Sequence, residues 1–245
     1  MKADPKVQRR LLDLQAIDTA LAQLAHRRRS LPERAELEAL ARELSALEDE
    51  RVRAQVAVDD LDRDIVRLEK DVEQVRARKS KDEARLAAGS GPARELEALQ
   101  HELVSLNRRQ SDLEDAELEL MEQRETAQGV LDGIDRRMAE ARERRAVTEQ
   151  RRDDSLAEIT REEEFKRSAR QPLAGDLPAD LVGLYDKIRA DTGLGAALLT
   201  VGRCGGCRLD LSGADLARIR KAAPDDVVRC EECRRIMVRT NESGL

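Results

Sequence analysis

Leu86-Ala87-Ala88-Gly89-Ser90-Gly91-Pro92-Ala93-Arg94-Glu95-Leu96 decides how this chain folds, because one helix stops and another starts inside it. Glycine ends a helix at little steric cost, and proline is tolerated in the first turn of the next. No strand pattern precedes the glycines, so the segment is a turn and not a nucleotide loop. On its N-terminal side apolar residues step by three and four: Leu37, Leu40, Leu44, Leu47, Ala54, Val58, Leu61, Ile65, Leu68, Val72 and Val75. Arg51 is the charged member of that run, and the register passes through Lys79 and Asp82 before recovering at Leu86. On the C-terminal side the stripe resumes at Leu96, Leu99, Leu103, Leu106, Leu113, Leu120, Ala127, Leu131, Ile134, Met138 and Ala141. Gln110, Glu117 and Arg124 interrupt it, and polar seam residues of this kind fix register at some cost in stability. A sustained 3.5-residue repeat keeps one stripe facing one partner, which makes a coiled-coil seam. A link this short brings the second helix back antiparallel to the first. At 1.5 Å per residue the hairpin is expected to be ~80 Å long, as a monomer or weak dimer and not a long parallel dimer.

Composition agrees. Of 245 residues 39% are charged, and the aromatics are Phe165 and Tyr185 alone. Large compact cores lean on aromatic side chains, so one large α/β or all-β domain is excluded. The 40% of apolar residues recur too regularly for a disordered chain. The net charge of −6 comes from 45 basic and 51 acidic residues, the pattern of solvated, ion-paired helix faces. No apolar run approaches ~20 residues, and MKADPKVQRR holds no hydrophobic signal segment, so a soluble cytoplasmic protein is expected.

Upstream, Val7, Leu11, Leu14, Ile17, Leu21 and Leu24 mark a further helix that meets a kink or short break at Ser30-Leu31-Pro32. The returning helix is expected to reach about Ala169, with a linker over Gln171–Pro178. These boundaries divide the chain into a kinked antiparallel coiled-coil hairpin, 1–170, with its turn near 88–92, and a tail, 171–245. In the tail a helix from Ala179 ends near Thr192-Gly193, strands are expected over 195–201 and 236–238, and Val227-Val228-Arg229 leads into the second cysteine pair. Ser212 and Asp215 carry a capping pattern for a short helix through Lys221.

The chemistry sits in that tail. Cys204-Gly-Gly-Cys207 and Cys230-Glu-Glu-Cys233 are two Cys-x-x-Cys pairs separated by 22 residues, the spacing of a zinc ribbon. Each pair curls the backbone so that both sulfurs point at one ion, and four thiolates close the shell of one structural Zn2+. Gly202, Gly205 and Gly206 permit the tight first knuckle. Two redox dithiols, or an iron centre with the same ligands, are the other readings of these cysteines.

Residues 203–239 hold nine basic and six acidic side chains, a local balance of +3. Arg208, Arg218, Arg220, Arg229, Arg234 and Arg235 are the candidate contacts for nucleic acid or another partner. A phosphate-binding face and a merely solvated face both stay open. Few aromatics means little base stacking, so nucleic-acid binding is expected to be weak and salt-sensitive. His26 and His101 read as helix-surface residues and Tyr185 as a packed one. No His-Glu-x-x-His, phosphate loop or nucleophile elbow is present, so an enzyme is not expected.

The whole chain resembles a bacterial family with a coiled-coil hairpin followed by a C4-type zinc ribbon, long catalogued as a domain of unknown function. The residues that carry the likeness are Arg94-Glu-Leu-Glu-Ala-Leu-Gln-His-Glu-Leu103, Leu184-Tyr185-Asp-Lys-Ile188 and the two cysteine pairs. The second knuckle departs from the family's frequent Cys-Pro-x-Cys-Gly, reading Cys230-Glu-Glu-Cys233-Arg234. Some members are linked to flagellar assembly, sigma-54 and messenger RNA. The resemblance implies a mainly α fold, zinc, and a non-enzymatic adaptor with a protein partner, in transcription or translation. A nucleic-acid-binding zinc-ribbon protein is the alternative. A transcript-cleavage factor would want an acidic hairpin tip, whereas Arg76, Arg78, Lys79, Lys81, Arg85 and Arg94 make this one mixed to basic.

Overall fold

The computed structural model describes residues 1–89 and 91–245; Ser90, inside the expected turn, lies outside the described residues. Three helices carry most of the chain: α1 (Pro5–Arg29), α2 (Pro32–Ala87) and α3 (Ala93–Gly175). They are followed by α4 (Ala179–Thr192), β1 (Ala196–Thr200), β2 (Arg203–Cys204), α5 (Gly213–Lys221), β3 (Val228–Arg229) and β4 (Ile236–Val238). No helix among the described residues is long and apolar enough to cross a membrane.

The packing groups these elements into two units, Ala35–Glu149 and Met1–Arg34 with Gln150–Leu245. The first is the coiled coil. As α2 positions rise from Glu43 through Glu50 and Asp62 to Arg76, their α3 partners fall from Arg144 through Arg137 and Arg124 to Glu114, so the strands of the hairpin run antiparallel. Every seam position named above is buried or half-buried. Leu47, Ile134, Met138 and Ala141 form a buried cluster within it. Two of the polar seam residues bond across the hairpin: Arg51 Nε donates to Asp135 at 2.8 Å, and Arg124 Nε donates to Asp62 at 3.0 Å. Gly89 and Gly91 flank the turn with φ of 61° and 151°, values that β-carbon-bearing residues adopt only under strain.

The second unit joins both ends of the chain. The expected break at Pro32 is a true break: Ser30 closes α1, its N–H donating to His26 O, and Pro32 begins α2. Within this unit α1 lies antiparallel to the end of α3, through Arg10–Asp176 and Arg28–Glu163 ion pairs and the Leu24, Leu31, Ile159 cluster. The strands form one sheet in the order β2-β1-β4-β3, with β1 and β4 parallel and the outer pairings antiparallel. One cluster unites Leu11 and Leu14 of α1, Leu181, Tyr185 and Ile188 of α4, and Ile236 and Val238 of β4. The alternate residue Met237 joins a different cluster with Leu199, Ile219 and the buried cysteines. Alternation along β4 thus places a helical core on one face and the metal site on the other.

Two expectations are corrected. The linker over 171–178 is helical through Gly175, with Pro172 inside α3. Pro172 sits in the last turn, where little of the helix's bonding is left to disrupt, and Leu173, Ala174 and Leu177 pack on the core between α1 and α4. The cut at 170/171 is likewise not where the packing divides the chain, because α1 and the end of α3 share a core with the tail.

Candidate metal centre and the surfaces around it

Both knuckles are built by the same hydrogen bonds. In the first, Arg208 N–H donates to Cys204 O at 2.7 Å and Cys204 N–H to Leu209 O at 3.0 Å. In the second, Arg234 N–H donates to Cys230 O at 2.9 Å and Cys230 N–H to Arg235 O at 3.0 Å. The residue after each second cysteine is left-handed, Arg208 and Arg234 both at φ 62°. Glycine is the residue that adopts this conformation freely, and a side chain there costs roughly 1–2 kcal/mol. The first knuckle also crosses close to β1: Gly205 N–H donates to Leu198 O, and a β-carbon at Gly205 would stand 2.7 Å from that oxygen.

The four sulfurs converge. Cys204 Sγ and Cys233 Sγ are 3.8 Å apart, Cys207 Sγ and Cys230 Sγ 3.9 Å, and all four lie within 4.8 Å of one another. A tetrahedron with corners ~2.3 Å from a zinc ion has edges of ~3.8 Å, whereas a disulfide would need ~2.05 Å. Burial raises the Cys204 thiol and pushes Cys230 up to about 12, against the backbone N–H groups of Gly206, Cys207, Glu232 and Cys233 that point at those sulfurs. Burial opposes ionisation of Cys233 too, but the Arg235 backbone N–H and the neighbouring Cys230 and Cys207 thiols outweigh it and bring Cys233 to about 7. Such a pocket holds four thiolates together only with a cation among them, and its donors suit one zinc ion.

The six candidate arginines do not form one free patch. Arg218 pairs with Asp215 and Glu231, Arg229 Nε donates to Arg234 O, and Arg235 donates to Thr192 O at 2.8 Å. Arg220 reaches Gly244 O at 3.5 Å. Arg208 and Arg234 are exposed, one beyond each knuckle. Arg239, not singled out in the sequence, donates to the carbonyls of Ile219, Ala222, Ala223, Pro224 and Asp226 and so satisfies the end of α5 and the turn after it.

The sequence reading also missed the polar face of α1. Gln15 Oε1 accepts the N–H groups of Gly195 and Ala196 at the start of β1, and Gln8 Nε2 donates to Ala3 O at 2.8 Å. Asp18, 1% exposed, accepts from Arg170 Nε at 2.8 Å and Tyr185 OH at 2.8 Å, with Arg189 at 3.3 Å. Burial, then this bond to Asp18, holds the Tyr185 phenol well above its ordinary range. The available signal was polar residues at the spacing of the apolar stripe: Gln8, Leu11, Gln15, Asp18. His26 and His101 are exposed, as expected of helix-surface residues.

The profile of the CT398-like coiled coil hairpin domain matches residues 14–193, and that of the C4-type zinc ribbon domain matches residues 203–237. An uncharacterized protein of Mycobacterium tuberculosis is 40% identical over 239 residues, covering 98% of each chain. A solved structure from Mycobacterium smegmatis is similar with a TM-score of 0.86 at 36% identity, covering 98% of this chain and all of that one. The structure of CT398 from Chlamydia trachomatis has a TM-score of 0.64 at 19% identity over 95% of this chain and 97% of that one, and shares the fold.

Proposed function

The chain belongs to the family of CT398-like coiled coil hairpin proteins with a C4-type zinc ribbon, and from that premise we propose that it is a non-enzymatic adaptor of the cytoplasm. Its helical hairpin and zinc-stabilised ribbon present surfaces to a protein partner, in transcription or translation. Cys204, Cys207, Cys230 and Cys233 are the four ligands of one structural zinc.

The observation that carries this reading is the separation of metal chemistry from surface. Four thiols close the coordination sphere and leave no position for a substrate. The hairpin meanwhile ties many of its charges into pairs across its two helices and leaves Val52, Val66, Leu118 and Met121 exposed along it. Apolar side chains on an otherwise charged surface suit a protein partner. The nucleic-acid reading is weaker, because four of the six candidate arginines bond within the chain. The protein acts as a monomer or weak dimer.

A photo-crosslinking residue placed at Val66, Leu118 or Arg208, in the protein's own cells, tests this. Discrete protein adducts from the hairpin positions are expected. Adducts that form only at Arg208 and vanish on nuclease treatment would overturn the adaptor and favour nucleic acid.

A further inference from the structure

A groove of about 640 Å³ runs between α4 and the second zinc knuckle. Its α4 wall presents Leu184, Lys187 and Asp191, and its knuckle wall presents Arg229, Glu232, Cys233, Arg234 and Arg235. Its cations outnumber the carboxylates of Asp191 and Glu232, and those nearest Cys233 face the negative four-thiolate centre, so Lys187 and the exposed Arg234 are the cations open to a ligand. Arg235 gives one nitrogen to Thr192 O and its guanidinium also favours the ionised sulfur of Cys233, so it serves the chain and not a ligand. Arg234 stands exposed over the groove from a left-handed residue where glycine would be unstrained. Leu184 is half-buried and Ile188 is buried beside it, so the groove has an apolar strip as well as a basic rim.

We propose that the groove between α4 and the second zinc knuckle binds a short acidic peptide segment of a partner protein, with an apolar side chain against Leu184 and its carboxylates on Lys187 and Arg234. The inference rests on the adaptor reading and gives that reading a recognition chemistry. Asp191 and Glu232 on the rim disfavour an unbroken phosphate backbone, which also has no apolar group to offer Leu184. A peptide can set its acidic residues against the cations and its leucine against the strip. Charge-assisted hydrogen bonds to guanidinium and ammonium groups supply the specificity. The contact is far smaller than the ~1,200 Å² of a stable interface, so binding in roughly the tens of micromolar is expected.

The experiment uses the full, zinc-loaded chain and a fluorescent peptide, Asp-Glu-Asp-Leu-Glu-Asp-Glu, followed by anisotropy. The same peptide with serine for leucine and a uridine 12-mer are compared. Two variants separate the groove from the fold. Arg234→Gly removes the rim cation while relieving its backbone, and Arg208→Gly does the same on the other knuckle, away from the groove. Zinc content checks that both fold. Arg234→Gly is expected to weaken the peptide about tenfold, the loss of one charge-assisted contact, and Arg208→Gly to leave it unchanged. Lys187→Glu should weaken it further, and the serine peptide should bind several-fold less well. Equal losses from Arg208→Gly and Arg234→Gly, no binding at millimolar protein, or tighter binding of the uridine strand would each overturn the proposal. Absent peptide binding while the hairpin still yields protein adducts removes the groove and leaves the adaptor. Groove-dependent binding with no protein adducts anywhere removes the adaptor instead.

Discussion

The coiled coil of Ala35–Glu149 and the unit that carries the ribbon are held together by opposite means. The coiled coil spreads its stability along a seam of small apolar contacts and half-exposed ion pairs. The other unit concentrates it: one four-thiol site on one face of a small sheet, one buried carboxylate network against the other. A repeat that buries a stripe can afford local defects such as Arg51, Gln110 or Arg124, because each neighbour contributes independently. A small sheet has few contacts to spare, so losing its metal or one buried polar bond costs a larger share of its stability.

Removing the metal is the strongest way to break that contrast. Cys233→Ser, or chelation, is expected to abolish zinc binding and unfold the sheet, since a structural tetrathiolate site contributes on the order of 10 kcal/mol to folding. Hydrogen exchange should show lost protection over 196–238 and unchanged protection over 40–140. Equal loss in both stretches would mean that the two units do not stand apart energetically.

Asp18→Ala comes next. It leaves Arg170, Arg189 and the Tyr185 hydroxyl without their buried partner, and breaking one side of such a network costs about 3–5 kcal/mol. Calorimetry should show the transition of the ribbon-bearing unit falling while the hairpin's stays in place. Tyr185→Phe, which removes a single bond, should cost about 1–2 kcal/mol. A Tyr185→Phe loss as large as that of Asp18→Ala would show that the hydroxyl, and not the arginine pairing, carries the network.

Within the hairpin the effects should be smaller and local. Leu47→Ala opens a cavity in a buried seam cluster and is expected to cost about 2–4 kcal/mol, read as a lower hairpin transition with zinc content unchanged. Arg124→Ala removes a half-exposed pair with Asp62 and should cost under about 1 kcal/mol. A larger penalty at Arg124 than at Leu47 would mean that the polar seam residues, not the apolar ones, hold the helices together.

Much of this was legible in the residues. The step of three and four from Leu37 to Val75, its resumption at Leu96 and the glycines between them specify an antiparallel pair without reference to anything distant. Cys204, Cys207, Cys230 and Cys233 announce a single site by spacing alone, since each knuckle is a local turn. The polar residues of α1 were legible only in their place on the apolar stripe; the partners of Gln15 and Asp18, among them Gly195, Arg170 and Tyr185, lie 152 to 180 residues away and were not. Arg239 was hidden for the same reason: its five carbonyl acceptors all lie 13 to 20 residues away, in a turn whose path no local rule gives.

The sequence by itself determined the coiled-coil seam, the reversal at the glycines and the metal-binding residues, because periodicity, turn chemistry and knuckle spacing are short-range properties. Only the tertiary structure decided that α1 and the end of α3 share a core with the ribbon, that Pro172 lies inside a helix, and that most of the ribbon's arginines serve the chain itself. Those outcomes depend on which buried polar group meets which partner across 150 or more residues, as Asp18 meets Arg170 and Tyr185. The free energy of such a meeting is set by desolvation and geometry in the assembled core, and no stretch of sequence contains both halves of it.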